Sequence, residues 1–527
     1  MSVGSRVFKQ SLLFLLCIIF TGCGAGALGA LTETDGKLYV KRDTCADHRP
    51  PKSELRLVDL LNQQKAGRDA SETGIMLLED GGGALAARGW LSREALRSID
   101  VQYFIFSADQ LGLIALQELI NSARRGVKVR LLVDDLLHDG EAQILLAAAQ
   151  VENLEIRIYN PSINIGKSFP SKIASITTDF RGANQRMHNK TFIVDDEVVI
   201  TGGRNIADEY FDFSPEYNFR DRDILLLGGI SSDVKSSFDL FWNHSLSVPL
   251  ISLLEPQSQK DRELILRQMA RLSCDPTRFW PAVQERIANV PKRYLELIGQ
   301  GHLVWVNQAR FVSDDPGKNK TKKGLKGGGV STTALIELIE QAKESIVIQT
   351  PYLVTTQLGK GLFERAIKRG VKVKIITNSL ASTDSFPAFA SYRSDRDELV
   401  RIGVELYESR PSGEAWLELM TSALMSQLKP KDAVPPIGLH AKSMVIDQHI
   451  LIVGTFNLDP RSANLNTECI VIVDHQGLAS QMQNQIEREM SPQNAWKITE
   501  SWNPDYHASW RNRWLAFWSW FVPKSII

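Results

Sequence analysis

The sequence predicts an α/β protein built from two copies of one lobe. Three observations carry this. First, Ser122 to Asp135 reads SARRGVKVRLLVDD, and Glu364 to Ser379 reads ERAIKRGVKVKIITNS. Each is a helix end, an Arg-Gly pair and an alternating β-branched strand, with Gly126 and Gly370 where a helix C-cap belongs. Second, Met187 to Asn205 (MHNKTFIVDDEVVITGGRN) and Leu439 to Asn457 (LHAKSMVIDQHILIVGTFN) both read as strand, polar turn, strand and glycine. The two pairs recur at nearly equal offsets, which argues for duplication over chance. Third, the chain has 527 residues, 43% apolar and 23% charged, enough for more than one core and too apolar for disorder.

The elements follow in order. Residues 1–23 read as an export signal. Arg6 and Lys9 precede an unbroken apolar run from Leu12 to Phe20. That run is short of the about 20 residues a bilayer span needs, and it suits a signal h-region. Phe20-Thr21-Gly22-Cys23 resembles a bacterial lipoprotein cleavage box, which makes Cys23 the expected lipid-bearing residue. Residues 24–74 are a lead segment. The first lobe is expected over 75–250 and the second over 331–490. Between them, 251–330 reads as a helical connector ending in a basic Gly/Lys linker, RFVSDDPGKNKTKKGLKGGG from Arg310 to Gly329. Such a run is usually solvated, although it suits anionic headgroups.

Residues 491–527 are rich in tryptophan. Trp496, Trp502, Trp510, Trp514, Trp518 and Trp520 all lie here. Trp510, Trp514, Phe517, Trp518 and Phe521 follow helical spacing on one face. That face suits either a helix lying on lipid or one docked on the protein core. Cys45, Cys274 and Cys469 remain after the signal, with no CxxC, and are expected to be mostly buried free thiols; at most one bridge is possible.

Lys+Arg and Asp+Glu both number 61, so the net charge is zero. A chain that wraps nucleic acid usually carries a basic excess. The chemistry lies in the second repeat, His-x-Lys-x4-Asp-x6-Gly-x2-Asn, found twice with identical spacing. The first copy is His188, Lys190, Asp195, Gly202 and Asn205. The second is His440, Lys442, Asp447, Gly454 and Asn457. Side chains two apart on a strand share a face, so each His stands beside its Lys. The aspartates fall on the other phase, at the turn, and read as residues that fix the hairpin. Lysine can neutralise phosphoryl oxygens and asparagine can donate to them. One imidazole can attack phosphorus while another protonates the leaving oxygen. No Asp/Glu cluster or HxxxH accompanies them, so no metal is expected.

These motifs resemble the phospholipase D superfamily, whose members carry two HKD motifs per active site. Ser98–Phe106 (SIDVQYFIF), Gly202–Phe211 (GGRNIADEYF), Thr377–Asp384 (TNSLASTD) and Gly454–Glu468 (GTFNLDPRSANLNTE) resemble its bacterial cardiolipin synthase branch, closest to the C-type members. The likeness covers roughly 75–527. Thr455 departs from the usual Ser but keeps the hydroxyl.

The resemblance implies two tandem pseudo-twofold lobes, each a mixed β-sheet flanked by helices, with one active site at their interface. It implies a phosphatidyl transferase that makes cardiolipin from phosphatidylglycerol and a second phospholipid. His188 would form a phosphatidyl-histidine and His440 would serve as acid and base, although the pseudo-symmetry leaves the reverse open. Lys190, Lys442, Asn205 and Asn457 would stabilise the phosphoryl charge, and Asp195 and Asp447 complete the catalytic motifs. An acid on the following strand would orient each histidine: Glu468 for His440 and Asp223 for His188, with Glu216 as the rival. No cofactor is implied. The expected partners are phospholipid substrates and the membrane, with room for a helper protein and no nucleic acid. The expected place is the bacterial cell membrane, reached by export and a lipid anchor on Cys23. The alternatives are water as acceptor, giving a phospholipase D, or a nucleic-acid phosphodiester, giving a nuclease.

Weaker signals are read conservatively. Gly166-Lys167-Ser168 lacks the upstream glycine of a P-loop. Gly81 to Gly83 reads as a turn. Tyr103 and Tyr352 occupy equivalent inner strands and read as core more than site. Arg204 and Arg461 flank the motif ends and suit either headgroup phosphate or surface pairing.

Overall fold

The computed structural model describes residues 56–161, 164–165, 180–275, 280–320, 326–414 and 435–527. The signal segment, Cys23, Cys45 and Gly166-Lys167-Ser168 lie outside them. Strands come in chain order as β1 (Thr73–Leu78), β2 (Ser98–Tyr103), β3 (Lys128–Asp134), β4 (Leu154–Tyr159), β5 (Thr191–Val194), β6 (Val198–Gly202), β7 (Asn218–Arg220), β8 (Asp223–Gly228) and β9 (Ser247–Pro249). They continue as β10 (Val304–Val306), β11 (Ala309–Ser313), β12 (Ser345–Gln349), β13 (Lys372–Asn378), β14 (Glu405–Ser409), β15 (Ile437–Leu439), β16 (Ser443–Ile446), β17 (Ile450–Gly454), β18 (Cys469–Asp474) and β19 (Ala495–Lys497).

Among the described residues these strands form two large sheets with matching order. One runs β10-β1-β8-β6-β5-β2-β3-β4-β9, the other β11-β18-β17-β16-β12-β13-β14-β19. In each, three parallel strands (β2-β3-β4, β12-β13-β14) adjoin an antiparallel set, so each sheet is mixed. The duplication reaches the caps. Gly126 (φ +96) and Gly370 (φ +93) both sit in the left-handed region. Val127 N–H returns to Ser122 O and Val371 N–H to Ala366 O, the same helix-ending motif in both lobes.

The boundaries differ from the sequence expectation in three places. Arg310–Ser313 is no linker: it lies in β11, the edge strand of the second sheet, paired with β18. Lys318, read as part of a solvated run, is buried on Asp314 and Ser462 O at 2.8 Å each. The second lobe therefore begins at Ala309, as the first begins at Thr73 with β1. β19 joins the second sheet at its far edge, so the C-terminal segment is not separate from that lobe. Gly81–Gly83 opens the helix Gly81–Glu94, capped by the Asp80 carboxylate at 2.6 Å from Gly83 N. A Cβ at Gly81 would stand 2.6 Å from the Phe211 backbone, so close packing explains that glycine.

Cys274 is disulfide-bonded, which corrects the expectation of a free thiol. Cys469 is free and buried.

The lobes share a core. Ile193, Val199 and Leu226 of one sheet belong to the same buried cluster as Val445, Val453 and Val471 of the other. Burying each such side chain contributes about 1.5–3 kcal/mol. The helices Ser231–Asn243 and Gln476–Glu489 supply Phe238, Phe241, Met482 and Ile486 to the same cluster. A third, two-stranded sheet crosses the seam: β7 of the first lobe pairs in parallel with β15 of the second.

Candidate active site

The seam places each histidine. His188 precedes β5, and its N–H donates to Thr467 O of the other lobe at 3.0 Å. Thr467 N–H returns to Arg186 O at 3.0 Å. His440 precedes β16, and its N–H donates to Arg220 O of the first lobe at 2.8 Å. Each histidine strand is thus laced to the opposite lobe, and the next residue there is an acid. His188 Nδ1 meets Glu468 Oε2 at 2.8 Å, and His440 Nδ1 meets Asp221 Oδ2 at 2.5 Å.

This corrects both expected pairings. Glu468 serves His188, not His440. Asp223 serves neither: it is fully buried against Arg88 Nη2 at 2.8 Å and forms part of the first lobe's interior. Glu216 is exposed and donates its backbone N–H to Ser214. The strand register explains the error. Gly202 stands opposite Asp223, and Gly454 opposite Ile470. The counterpart of Glu468 is therefore two residues before Asp223. Asp221 and Asp223 have the same phase on a strand, so periodicity alone could not separate them. The register from the motif glycine is the signal that finds Asp221.

Burial dominates the electrostatics. His188 is pulled down to about 4 by burial, with the two lysines adding to it and Glu468 opposing. Burial and Lys442 draw His440 down to about 3, against Asp221. Burial and then Lys442 bring Lys190 to about 7; burial brings Lys442 to about 8. Burial would raise both acids, but the cations around them hold Asp221 and Glu468 below the usual carboxylate range. Two lysines buried in one dry site, with Lys442 further lowering the proton affinity of Lys190, are the signature of a place built for an anion.

The lobes are not equivalent in detail. Lys190 Nζ donates to His188 O at 2.8 Å and lies over the Phe104 ring. Lys442 Nζ donates to His440 O at 2.5 Å and reaches 3.1 Å from His440 Nε2. Asn205 Oδ1 accepts from Ile105 N–H at 3.1 Å, whereas Asn457 Oδ1 is buried without a partner. Thr455 Oγ1 donates to Glu468 Oε2, so the hydroxyl expected there is used. Its counterpart Gly203 has no room for a side chain, since a Cβ would lie 2.0 Å from Asp221 Oδ1. Phe104 packs edge-on to His188 at 4.9 Å, and Tyr210 to His440 at 5.1 Å. Sequence reasoning missed these rings.

The motif aspartates stand elsewhere. Asp195 accepts from the N–H groups of Leu96, Arg97 and Ser98 at 2.7–2.9 Å. Asp447 does the same for Lys343, Glu344 and Ser345. Each is a strand away from its histidine, roughly 20 Å of extended chain. They tie the hairpin to the start of the central strand and touch no reacting group, so their place among the catalytic residues is corrected to a structural one. Tyr103 donates to no substrate space; its hydroxyl meets Arg88 inside the first lobe. Tyr352 does face the site, 6.5 Å from the His440 ring, with its hydroxyl on Asp384 at 2.6 Å. Arg204 is spent on the carbonyls of Leu78, Glu79, Tyr210 and Asp221. Arg461 holds Asn184 and Ile526 O. Among the described residues, no group of three His, Cys, Asp or Glu could hold a metal ion.

Comparisons with known proteins agree with this architecture. The family described as cardiolipin synthase, PLD-like domain matches residues 92–242 and 335–490. Cardiolipin synthase C of Escherichia coli (strain K12) is 33% identical over 410 residues, 77% of this chain and 83% of that one. An uncharacterized protein of Helicobacter pylori (strain ATCC 700392 / 26695) is 32% identical over 431 residues, 80% of each chain. Among solved structures, phosphatidylserine synthase of Haemophilus influenzae Rd KW20 aligns with a TM-score of 0.54 at 15% identity, covering 87% of this chain and 96% of that chain. At that identity the likeness shows the fold.

Proposed function

This chain belongs to the cardiolipin synthase, PLD-like domain family, and on that premise we propose that it is a phosphatidyltransferase making cardiolipin from phosphatidylglycerol and a second phospholipid. One observation carries the reading: two histidines, each with a carboxylate from the other lobe on Nδ1, stand among two buried lysines. Fixing Nδ1 leaves Nε2 for chemistry.

His188 Nε2 attacks the donor phosphorus, and the bond from phosphorus to the departing alcohol breaks. His440 gives that alkoxide its proton. The hydroxyl of phosphatidylglycerol then attacks the phosphatidyl-histidine, the P–N bond breaks, and His440 takes the hydroxyl proton. Lys190 and Lys442 hold the non-bridging oxygens through Nζ, and Asn205 and Asn457 do so by donating from Nδ2. An arriving phosphodiester anion raises the proton affinity of His440, which the empty site keeps low. We place this reaction at the bacterial cell membrane, reached by export, with Cys23 as the proposed lipid anchor. The Cys274 disulfide supports an oxidising compartment. No described helix is long and apolar enough to cross a membrane.

The test is headgroup exchange in reconstituted vesicles. Labelled phosphatidylglycerol is supplied with and without phosphatidylethanolamine, and lipid products are identified by mass. Cardiolipin that disappears in His188→Ala supports transfer and names the donor. Phosphatidic acid alone would make water the acceptor, and cleavage of single-stranded DNA with inert lipid would make the chain a nuclease.

A further inference from the structure

An amphipathic helix on a protein surface normally turns its large apolar residues inward. The helix Trp510–Ser519 does the opposite. It packs on the helix Phe386–Arg401 through its small residues, with Ala516 and Ser519 buried. Asn512 Nδ2 fastens it to Leu380 O at 3.1 Å. Trp510, Trp514, Phe517, Trp518, Trp520 and Phe521 are left between 42% and 75% exposed. Contiguous aromatic surface on this scale marks an interaction site.

The occupant is indicated by charge and by position. No Asp or Glu occurs after Asp505. Arg511 and Arg513 are exposed and pair with no acid among the described residues. Indole rings with unpaired cations beside them match the boundary between headgroups and acyl chains, where tryptophan concentrates and arginine meets lipid phosphate. The chain that follows the patch reaches back toward the active-site seam. The chain end returns so that Arg461 N–H donates to Ile527 O at 3.1 Å, and Arg461 Nη1 bridges Ile526 O and Asn184 Oδ1. Arg461 lies four residues after Asn457, and Asn184 four before His188. We propose that this aromatic face docks on an anionic phospholipid surface and sets the lobe seam against the membrane from which substrate enters.

The test uses the full chain, reconstituted in phosphatidylglycerol vesicles whose acyl chains are brominated, with tryptophan fluorescence as the readout. Bromine quenches only indoles that enter the bilayer, so a tether elsewhere does not produce the signal. Wild type should be quenched. A variant with Trp510, Trp514, Trp518 and Trp520 replaced by Phe should lose most of that quenching while keeping an apolar face. In a second variant, Trp514→Ser, Phe517→Ser, Trp518→Ser and Phe521→Ser, the remaining Trp510 and Trp520 should be quenched about tenfold less. Arg511→Glu with Arg513→Glu should weaken quenching in phosphatidylglycerol vesicles and not in phosphatidylcholine vesicles. Unchanged thermal midpoints show that the variants fold. Wild type that escapes quenching, or a Phe variant quenched like wild type, overturns the proposal. So does a wild type that self-associates and becomes monomeric in the Ser variant, because a second copy then covers the face. Quenching does not depend on turnover, so failed docking and failed transfer chemistry are told apart.

Discussion

His188 and Glu468 stand 280 positions apart, in different lobes, and meet at 2.8 Å. His440 and Asp221 make the reciprocal exchange. Neither lobe holds a complete histidine–acid pair of its own, so the site exists only when the two are packed together.

The exchange is testable with paired variants. Glu468→Gln should slow formation of the covalent adduct on His188, by on the order of 10²–10⁴ in turnover. Asp221→Asn should cause a loss of similar size at the His440 step. Phosphohistidine trapped in rapid-quench samples should be scarce in Glu468→Gln, whereas Asp221→Asn, which weakens the acid of the first step and the base of the second, should slow both its formation and its breakdown. Asp223→Ala should instead cost about 3 kcal/mol of stability by stranding Arg88, read as a lower thermal midpoint. If Asp223→Ala reproduces the kinetic defect in a folded protein, the assignment to Asp221 is wrong.

The buried lysines predict a pH dependence for anion binding. In the empty site Lys190 is held at about 7 and Lys442 at about 8. Well below pH 7 both are protonated, and a phosphate-like anion binds without drawing a further proton onto either lysine, so any uptake there belongs to His440. As pH rises through 7 and past 8 they lose protons, so binding must recover them and affinity falls. Calorimetry with vanadate in buffers of different ionisation heat should detect more protons taken up per bound anion at pH 9 than at pH 6, the difference being the protons the lysines recover. An affinity that rises from pH 7 to 9 would contradict the depressed lysines.

Asp195 and Asp447 each accept three backbone N–H groups. Most of these N–H groups are exposed, so water replaces the lost acceptor and each bond removed costs about 0.5–1.5 kcal/mol. Asp195→Ala and Asp447→Ala should therefore lower the midpoint of urea unfolding by similar amounts. Activity per folded molecule should stay near wild type at low temperature. Abolished turnover in a fully folded variant would return these aspartates to the chemistry.

Gly203 and Thr455 occupy the same register position behind the two carboxylates, and only one has room for a side chain. Gly203→Ala brings a methyl against the Asp221 carboxylate and should reduce turnover at least tenfold with little change in KM. Thr455→Ser keeps the hydroxyl on Glu468 and should be nearly neutral. Thr455→Val removes it and should fall between the two.

The sequence by itself determined the duplication, the strand–turn–strand repeats, the His-x-Lys pairs and the lobe count. All of these are local: periodicity, cap glycines and fixed spacing are written within about twenty residues. It also placed Glu468 at a strand start, but not against the right histidine. Only the tertiary structure decided that pairing, because acid and imidazole come from opposite lobes and meet through the β7–β15 seam and the Met187–Thr467 bridge. The same holds for Arg310–Ser313: its composition reads as linker, yet pairing with β18 makes it a strand. The C-terminal helix shows the limit most plainly. Its spacing gives an aromatic face, but packing alone decided that Ala516 and Ser519 turn inward and leave the rings to whatever lies outside the protein.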